Sequence, residues 1–252
     1  MNRRSTLLAM GALPFYLQAT RKPLPVAAII TEYHNNSHAD VIVGKILEGW
    51  KQDGGPSPNL KLAAIYVDQF TKGDMSNALA KKHGFPIKES IEEAITLGTS
   101  KVQVDGVLSI AEHGNYHYAP KTRQHMYPRR RFFDEIADTF KKCGQVVPVF
   151  NDKHLAYNWK DAKHMYDRAR AMKIPLMAGS SLPVAWRLPA KVLPIGTQIE
   201  EAIGIGHSGL ESYGFHALET FQSVMERCKD GESGVASVQA VSGESIWKAL
   251  VI

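Results

Sequence analysis

The chain has 252 residues, enough for one large domain or two modest ones around a real core. Its 44% hydrophobic and 22% charged residues are the proportions of a soluble globular protein, not of a disordered or membrane-spanning one. Net charge is +5, and setting Arg3 and Arg4 aside as part of a leader takes the 30 basic residues to 28 against 25 acidic. That balance is too even for a nucleic-acid-binding face, so no nucleic-acid partner is expected.

The N-terminus reads Asn2-Arg3-Arg4-Ser5-Thr6-Leu7-Leu8, then runs apolar to Ala19. A basic start, a short apolar run and a small residue at the cut predict a signal peptide over residues 1–20. Pro14 interrupts the run, which falls short of the ~20 apolar residues of a bilayer span. No stable membrane span is expected. The paired arginines resemble a twin-arginine signal, and export to the periplasm or another extracytoplasmic space follows.

From there short apolar runs alternate with amphipathic ones. Val26 to Thr31 reads as a strand and Ala39 to Trp50 as a helix; a Gly/Pro loop over residues 54–58 follows. Leu62 to Val67 is a second strand, ending at Asp68, and Met75 to His83 a helix stopped by Gly84 and Pro86. Ile91 to Leu97 is a short helix, Asp105 to Ala111 a strand, Phe132 to Cys143 a helix and Val146 to Phe150 a strand. Lys160 to Met172 is a helix and Leu176 to Ala178 a short strand. Strands apolar on both faces, alternating with helices, predict a parallel sheet covered on both sides. The run Arg129-Arg130-Arg131 and the pair Lys141-Lys142 read as the start and the solvated end of one helix.

Past Ser181 the rhythm breaks at Pro183, Pro189 and Pro194. Thr197 to Ile205 and Val235 to Val241 look like strands of a second unit, with a helix from Ser212 to Cys228 between them. The domain boundary is set at Pro183, giving residues 21–182 and 183–252. Cys143 and Cys228 have neither metal spacing nor a disulfide framework, and read as buried free thiols.

Four stretches carry a resemblance in chain order. They are Ala78-Leu79-Ala80-Lys81-Lys82-His83-Gly84-Phe85-Pro86 with Ile91-Glu92-Glu93-Ala94-Ile95, then Val104 to Ala111 with His117 beyond it. Next come Val149-Phe150-Asn151-Asp152-Lys153-His154 and Gly209-Leu210-Glu211-Ser212-Tyr213-Gly214-Phe215-His216. Together they resemble the second helix, the "ATPxxxH" turn, the "EKP" strand end and the "DxGxH" helix start of the Gfo/Idh/MocA oxidoreductases. Tyr127 to Phe133 and Pro175 to Ser181 further resemble an exported, largely uncharacterised subgroup of that family.

The resemblance implies an α/β fold: a Rossmann-type parallel sheet with helices on both faces, then a short α+β second domain. It also implies NAD or NADP as cofactor and a small sugar or polyol as substrate. In the family the lysine stands between nicotinamide and the substrate hydroxyl, and the histidine of the second domain helps move the proton. Lys153 and His216 become the catalytic candidates. Asn35, Asn36 and Ser37, Asp68, Glu112 and His117 become the cofactor-facing ones. About seventy residues are too few for the family's large second sheet, so pairing with another chain through that domain is expected.

Departures from the family pattern leave other readings open. The turn after the first strand is Thr31-Glu32-Tyr33-His34-Asn35-Asn36-Ser37-His38, with no glycine to let a backbone approach pyrophosphate and with Glu32 where phosphates would sit. Glu112 and His113 replace Thr and Pro of the second motif. Asp152 and His154 replace Glu and Pro of the third, and Ser212 the aspartate of the fourth. One alternative is a non-catalytic exported binding protein on the same fold. Another is metal-dependent hydrolase or lyase chemistry on the pairs His34/His38 and His113/His117, which share one edge of the sheet; the plain reading of those histidines is polar surface. No metal ligand is assigned from the sequence. Tyr33, Tyr116 and Tyr118 could line a carbohydrate cleft, while Trp159, Trp186 and Trp247 read as packing or interface residues.

Overall fold

The structure is a computed structural model that describes residues 22–49, 56–231 and 234–249. The expected leader over residues 1–20 lies outside the described residues, as do Trp50, Gly54 and Gly55. The chain divides into two compact units, with the boundary in sequence between Gly179 and Ser180.

The first unit is built on strands that are apolar on both faces. β1 (Leu24–Ile30) sends Val26, Ala28 and Ile30 to one side and Ala27 and Ile29 to the other, as a period of two requires. It pairs in parallel with β2 (Leu60–Val67) on one flank and β4 (Gly106–Ile110) on the other. β3 (Ile87–Lys88), β5 (Val149–Asp152) and β6 (Leu176–Gly179) complete a six-stranded all-parallel sheet in the order β3-β2-β1-β4-β5-β6. This is the strand order of a Rossmann-type sheet, whose connections reverse between β1 and β4.

Helices cover both faces. α1 (His38–Glu48) lays Ala39, Val43 and Ile46 on the Val26/Ala28/Ile30 side, where Met75 and Leu79 beside and within α2 (Ser76–His83) also pack. α3 (Ile91–Thr96), α4 (Arg129–Cys143) and α5 (Trp159–Met172) cover the opposite side with Ile91, Ile95, Phe132, Phe133, Ile136, Phe140 and Met165. Each such fully buried side chain contributes about 1.5–3 kcal/mol of apolar transfer. The helix ends are specified locally. Ser37 and Asn158 accept from Asp40 N and Asp161 N at the starts of α1 and α5, and Gly84 and Gly144 close α2 and α4 in the left-handed conformation.

The second unit differs from the sequence expectation. Thr197 to Ile205 and Val235 to Val241 are not strands; among the described residues only an isolated bridge, Thr197 to Cys228, occurs there. Helical structure among the described residues is a 3-10 turn at Leu182–Val184, a π turn at Leu210–Gly214 leading into α6 (Phe215–Met225), and α7 (Ser245–Ala249). The apolar run at Ile203 and Ile205 lies along α6 instead of in a ladder. A Cβ on Gly204 would meet Phe221 at 2.9 Å and one on Gly206 would meet Ala217 at 2.9 Å. It is the glycine side of the segment that meets α6, while Ile203 and Ile205 themselves face solvent. Trp186, Leu188, Ile203, Ile205 and Leu210 remain exposed. No helix among the described residues is long and apolar enough to cross a membrane.

Candidate active site at the carboxyl edge of the sheet

Because the connections reverse between β1 and β4, the crevice outside their carboxyl ends is where such sheets bind ligands. Two bonds join the strand ends: Thr31 N donates to Ile110 O at 3.3 Å and Thr31 Oγ1 to Glu112 O at 2.5 Å. Beyond them the chain places charge in the interior. Glu112 takes a hydrogen bond from Arg129 Nη2 on one carboxylate oxygen and one from Lys153 Nζ, at 3.0 Å, on the other. Arg129 is 1% exposed and Lys153 is 5% exposed, so one buried carboxylate balances two buried cations. Burial raises the Glu112 pKa, but the opposing charges of Arg129 and Lys153 outweigh it and hold the group below its ordinary value. The Arg129 guanidinium lies 4.9 Å over the Tyr127 ring, whose hydroxyl is pushed up to about 12 by burial and the charge of Glu112.

A second set surrounds α1's first turn. His38 Nδ1 donates to Asp152 Oδ2 at 2.5 Å, joining the helix start to the end of β5. His34 Nε2 stands 2.9 Å from Glu32 Oε1, and the His113 ring lies 5.3 Å from that of His34 and 5.2 Å from that of His38. One ligand atom from each of Glu32, His34 and His113 falls within 4.8 Å of the others. Burial, then the charge of His38, lowers the His113 pKa and favours its neutral form. Its Nε2 is buried with no hydrogen-bond partner, as are Ser109 Oγ, Asn151 Oδ1 and two nitrogens of Arg129. Ser109 and Asn151 are register partners on β4 and β5, so part of this unpaired polarity lies on neighbouring strands near their carboxyl ends.

Several sequence candidates converge here and others do not. Lys153 and Glu112 are in contact. Asn35 and Asn36 are exposed, and Ser37 is buried as the cap of α1. His117 is exposed in the loop after β4, where its carbonyl accepts from Met126 N. Asp68 is engaged by Tyr66 at 2.7 Å, Tyr116 at 2.6 Å and Arg131 at 2.5 Å. His216 belongs to the second unit, where its Nδ1 bonds Ser180 Oγ at 2.8 Å. Tyr33 is not a cleft residue: it is 0% exposed within the apolar core under α1. Trp159, Trp186 and Trp247 are exposed, and both cysteines are free and half-buried. Of the arginine run, Arg130 pairs with Asp134 and Asp161, Arg131 with Asp68 and Glu135, and Arg129 is interior. Sequence reasoning missed Arg129 because it reads as one of three surface cations; the apolar Phe132 and Phe133 one turn on and Ile136 two turns on were the signal that this face turns inward.

A dinucleotide's pyrophosphate needs free backbone donors and no opposing charge at the start of α1. The residues present do not fit it. Asp40 N and His34 N already donate to Ser37 Oγ, and Asn36 N donates to Asp40 Oδ2. Glu32 and Asp40 bring two carboxylates to the turn. Asp68, the ribose candidate, has both oxygens occupied.

No family model and no curated protein matches this sequence. Among solved structures, a Gfo/Idh/MocA family oxidoreductase from Vibrio cholerae is 19% identical with TM-score 0.39, over 64% of this chain and 39% of that one. An NAD-binding protein from Listeria innocua is 13% identical with TM-score 0.46, over 81% and 55%. Biliverdin reductase from Synechocystis, in complex with biliverdin and NADP+, is 13% identical with TM-score 0.39, over 81% and 57%. The chain thus spans 39% to 57% of the length of these structures. The Rossmann-type α/β class of the first unit rests on its own strand order, and its chemistry on its own residues.

Proposed function

We propose that the first unit carries an enzyme site acting on a hydroxyl group of a small molecule of the sugar or polyol class. Lys153 is its proton-handling group, on the architecture used by nicotinamide-dependent oxidoreductases. The supporting observation is Lys153 itself, a buried lysine beyond the last residue of β5, held by a carboxylate that a second buried cation shares. Ionisable groups are gathered this way at reactive sites far more than in ordinary cores.

The arrangement has a chemical consequence. Lys153 Nζ presents a proton to an oxygen that is gaining negative charge. Once the proton has moved, Glu112 still has Arg129 as counter-ion, so no lone anion is left in the interior. Burial keeps competing water from the pair. A dehydrogenase also needs a hydride partner, which nicotinamide supplies in oxidoreductases. The β1–α1 turn does not fit the phosphates of that cofactor, and no step is assigned to it.

The same turn favours a second reading, a binding protein that holds its ligand without converting it. Both are tested by following a panel of sugars, polyols and sugar acids by NMR, alone and with NAD+ or NADP+ added as hydride acceptor, with the native protein and Lys153→Met. The enzyme reading expects conversion that falls about 10²- to 10⁴-fold in the variant. Binding without conversion in both selects the second reading. Conversion unchanged in Lys153→Met overturns the assignment of Lys153.

A further inference from the structure

We propose that Glu32, His34 and His113 form a site for one divalent transition-metal ion, of the zinc type, in the crevice between the ends of β1 and β4. The inference goes beyond the acid–base reading of Lys153 and stands if that reading fails.

Three features of the cluster support it. The first is the donor set: two imidazoles and one carboxylate, with ligand atoms within 4.8 Å of each other. That is the ligand composition of catalytic zinc sites, which leave a further position for water or substrate. Ligands around a tetrahedral ion at ~2.1 Å lie roughly 3.4 Å apart, so small side-chain rotations close the set.

The second is the hydrogen-bond pattern of His34. Its Nδ1 lies 2.9 Å from Asn35 O, a carbonyl that can only accept, so the ring proton resides on Nδ1. Its Nε2, 2.9 Å from Glu32 Oε1, then directs a lone pair at a carboxylate. Two acceptors at that separation need a cation between them, either a second ring proton or a metal. An imidazole whose far nitrogen is fixed on a carbonyl is the usual state of a metal-binding histidine.

The third is His113. Its Nε2 is buried and has no hydrogen-bond partner, although its ring stands within 5.3 Å of the His34 ring. A buried ring nitrogen without a partner is costly unless something is coordinated there. His38 lies alongside, its ring 5.2 Å from that of His113 and its Nδ1 on Asp152, the carboxylate–histidine arrangement that orients a ligand or a neighbour of one. The local charge agrees: the edge that deters phosphate through Glu32 attracts a cation.

The test uses the native protein, free of any histidine tag, stripped with a chelator and titrated with zinc or cobalt(II) chloride. Stoichiometry is read by elemental analysis and geometry by the visible absorption of the cobalt form. The expected result is one equivalent, with the intense absorption of a four- or five-coordinate ion, retained in His117→Gln and in Lys153→Met. His34→Gln and His113→Gln should each weaken it by about 100-fold or more. Should those variants lose their fold by circular dichroism, the isosteric Glu32→Gln gives the same reading. Native protein that takes up no equivalent overturns the site. So does uptake unchanged in a folded His34→Gln/His113→Gln double variant, or in a folded Glu32→Gln variant.

Discussion

Glu112 is the residue on which the interior charge turns, because it pairs with both Arg129 and Lys153. Glu112→Gln keeps the shape and removes the counter-ion of two buried cations. It should cost about 3–5 kcal/mol in urea unfolding, the usual result of stripping a buried pair of one partner. Lys153→Met should cost less, since Glu112 keeps Arg129; an equal loss would mean that the two cations are not held by the same carboxylate. Asp68 gives a pH-dependent counterpart. Burial raises its pKa, but the hydrogen bonds of Tyr116, Arg131 and Tyr66 outweigh this and hold it below its ordinary value. A folded pKa below the unfolded one contributes stability that is full above the unfolded value and is lost as pH falls through the folded one. Stability should therefore fall as pH drops below about 4, and Asp68→Asn should flatten that part of the curve while lowering stability at neutral pH by about 1–3 kcal/mol. Unfolding midpoints between neutral and strongly acid pH check both.

At the scale of elements, the β1–α1 turn shows how one short segment serves structure and site together. Ser37 caps α1 and bonds His34 N, so Ser37→Ala should destabilise by about 1 kcal/mol and loosen His34 at the same time. Thermal unfolding reads the first effect, metal titration the second. The same dual role explains what the sequence made legible. Strong periodic runs gave every described helix of the first unit and all but one of its described strands. The exception, β3, is two residues long and exists only through its pairing with β2. Cap residues and glycines placed the helix ends within a few residues. In the second unit the apolar run at Ile203 and Ile205 misled, because side-chain alternation does not reveal whether a ladder or a helix lies alongside. Gly204→Ala and Gly206→Ala, each pushing a methyl group to 2.9 Å from α6, should cost about 1–3 kcal/mol by denaturant unfolding; neutrality of both would mean the segment does not pack there.

For the whole molecule, strand order decides where chemistry can happen, and local sequence decides which chemistry. The alternation of strands and helices made the sheet, and hence its carboxyl edge, readable in the sequence alone. The contacts within that edge were not readable. Lys153 to Glu112 and His38 to Asp152 join residues far apart in sequence, and only the apolar positions that follow on α4 mark Arg129 as interior. The missing glycines could be read directly, and the structure supplies their meaning: the donors of the turn are taken up by Ser37 and Asp40, and its mouth carries Glu32. The central claim is that this crevice is built for a cation and a small polar molecule rather than for a dinucleotide. Calorimetric titration of the native protein with NADH and with NADPH tests it most directly. No saturable heat up to millimolar concentrations is the predicted result; binding of either nucleotide in the micromolar range would contradict it.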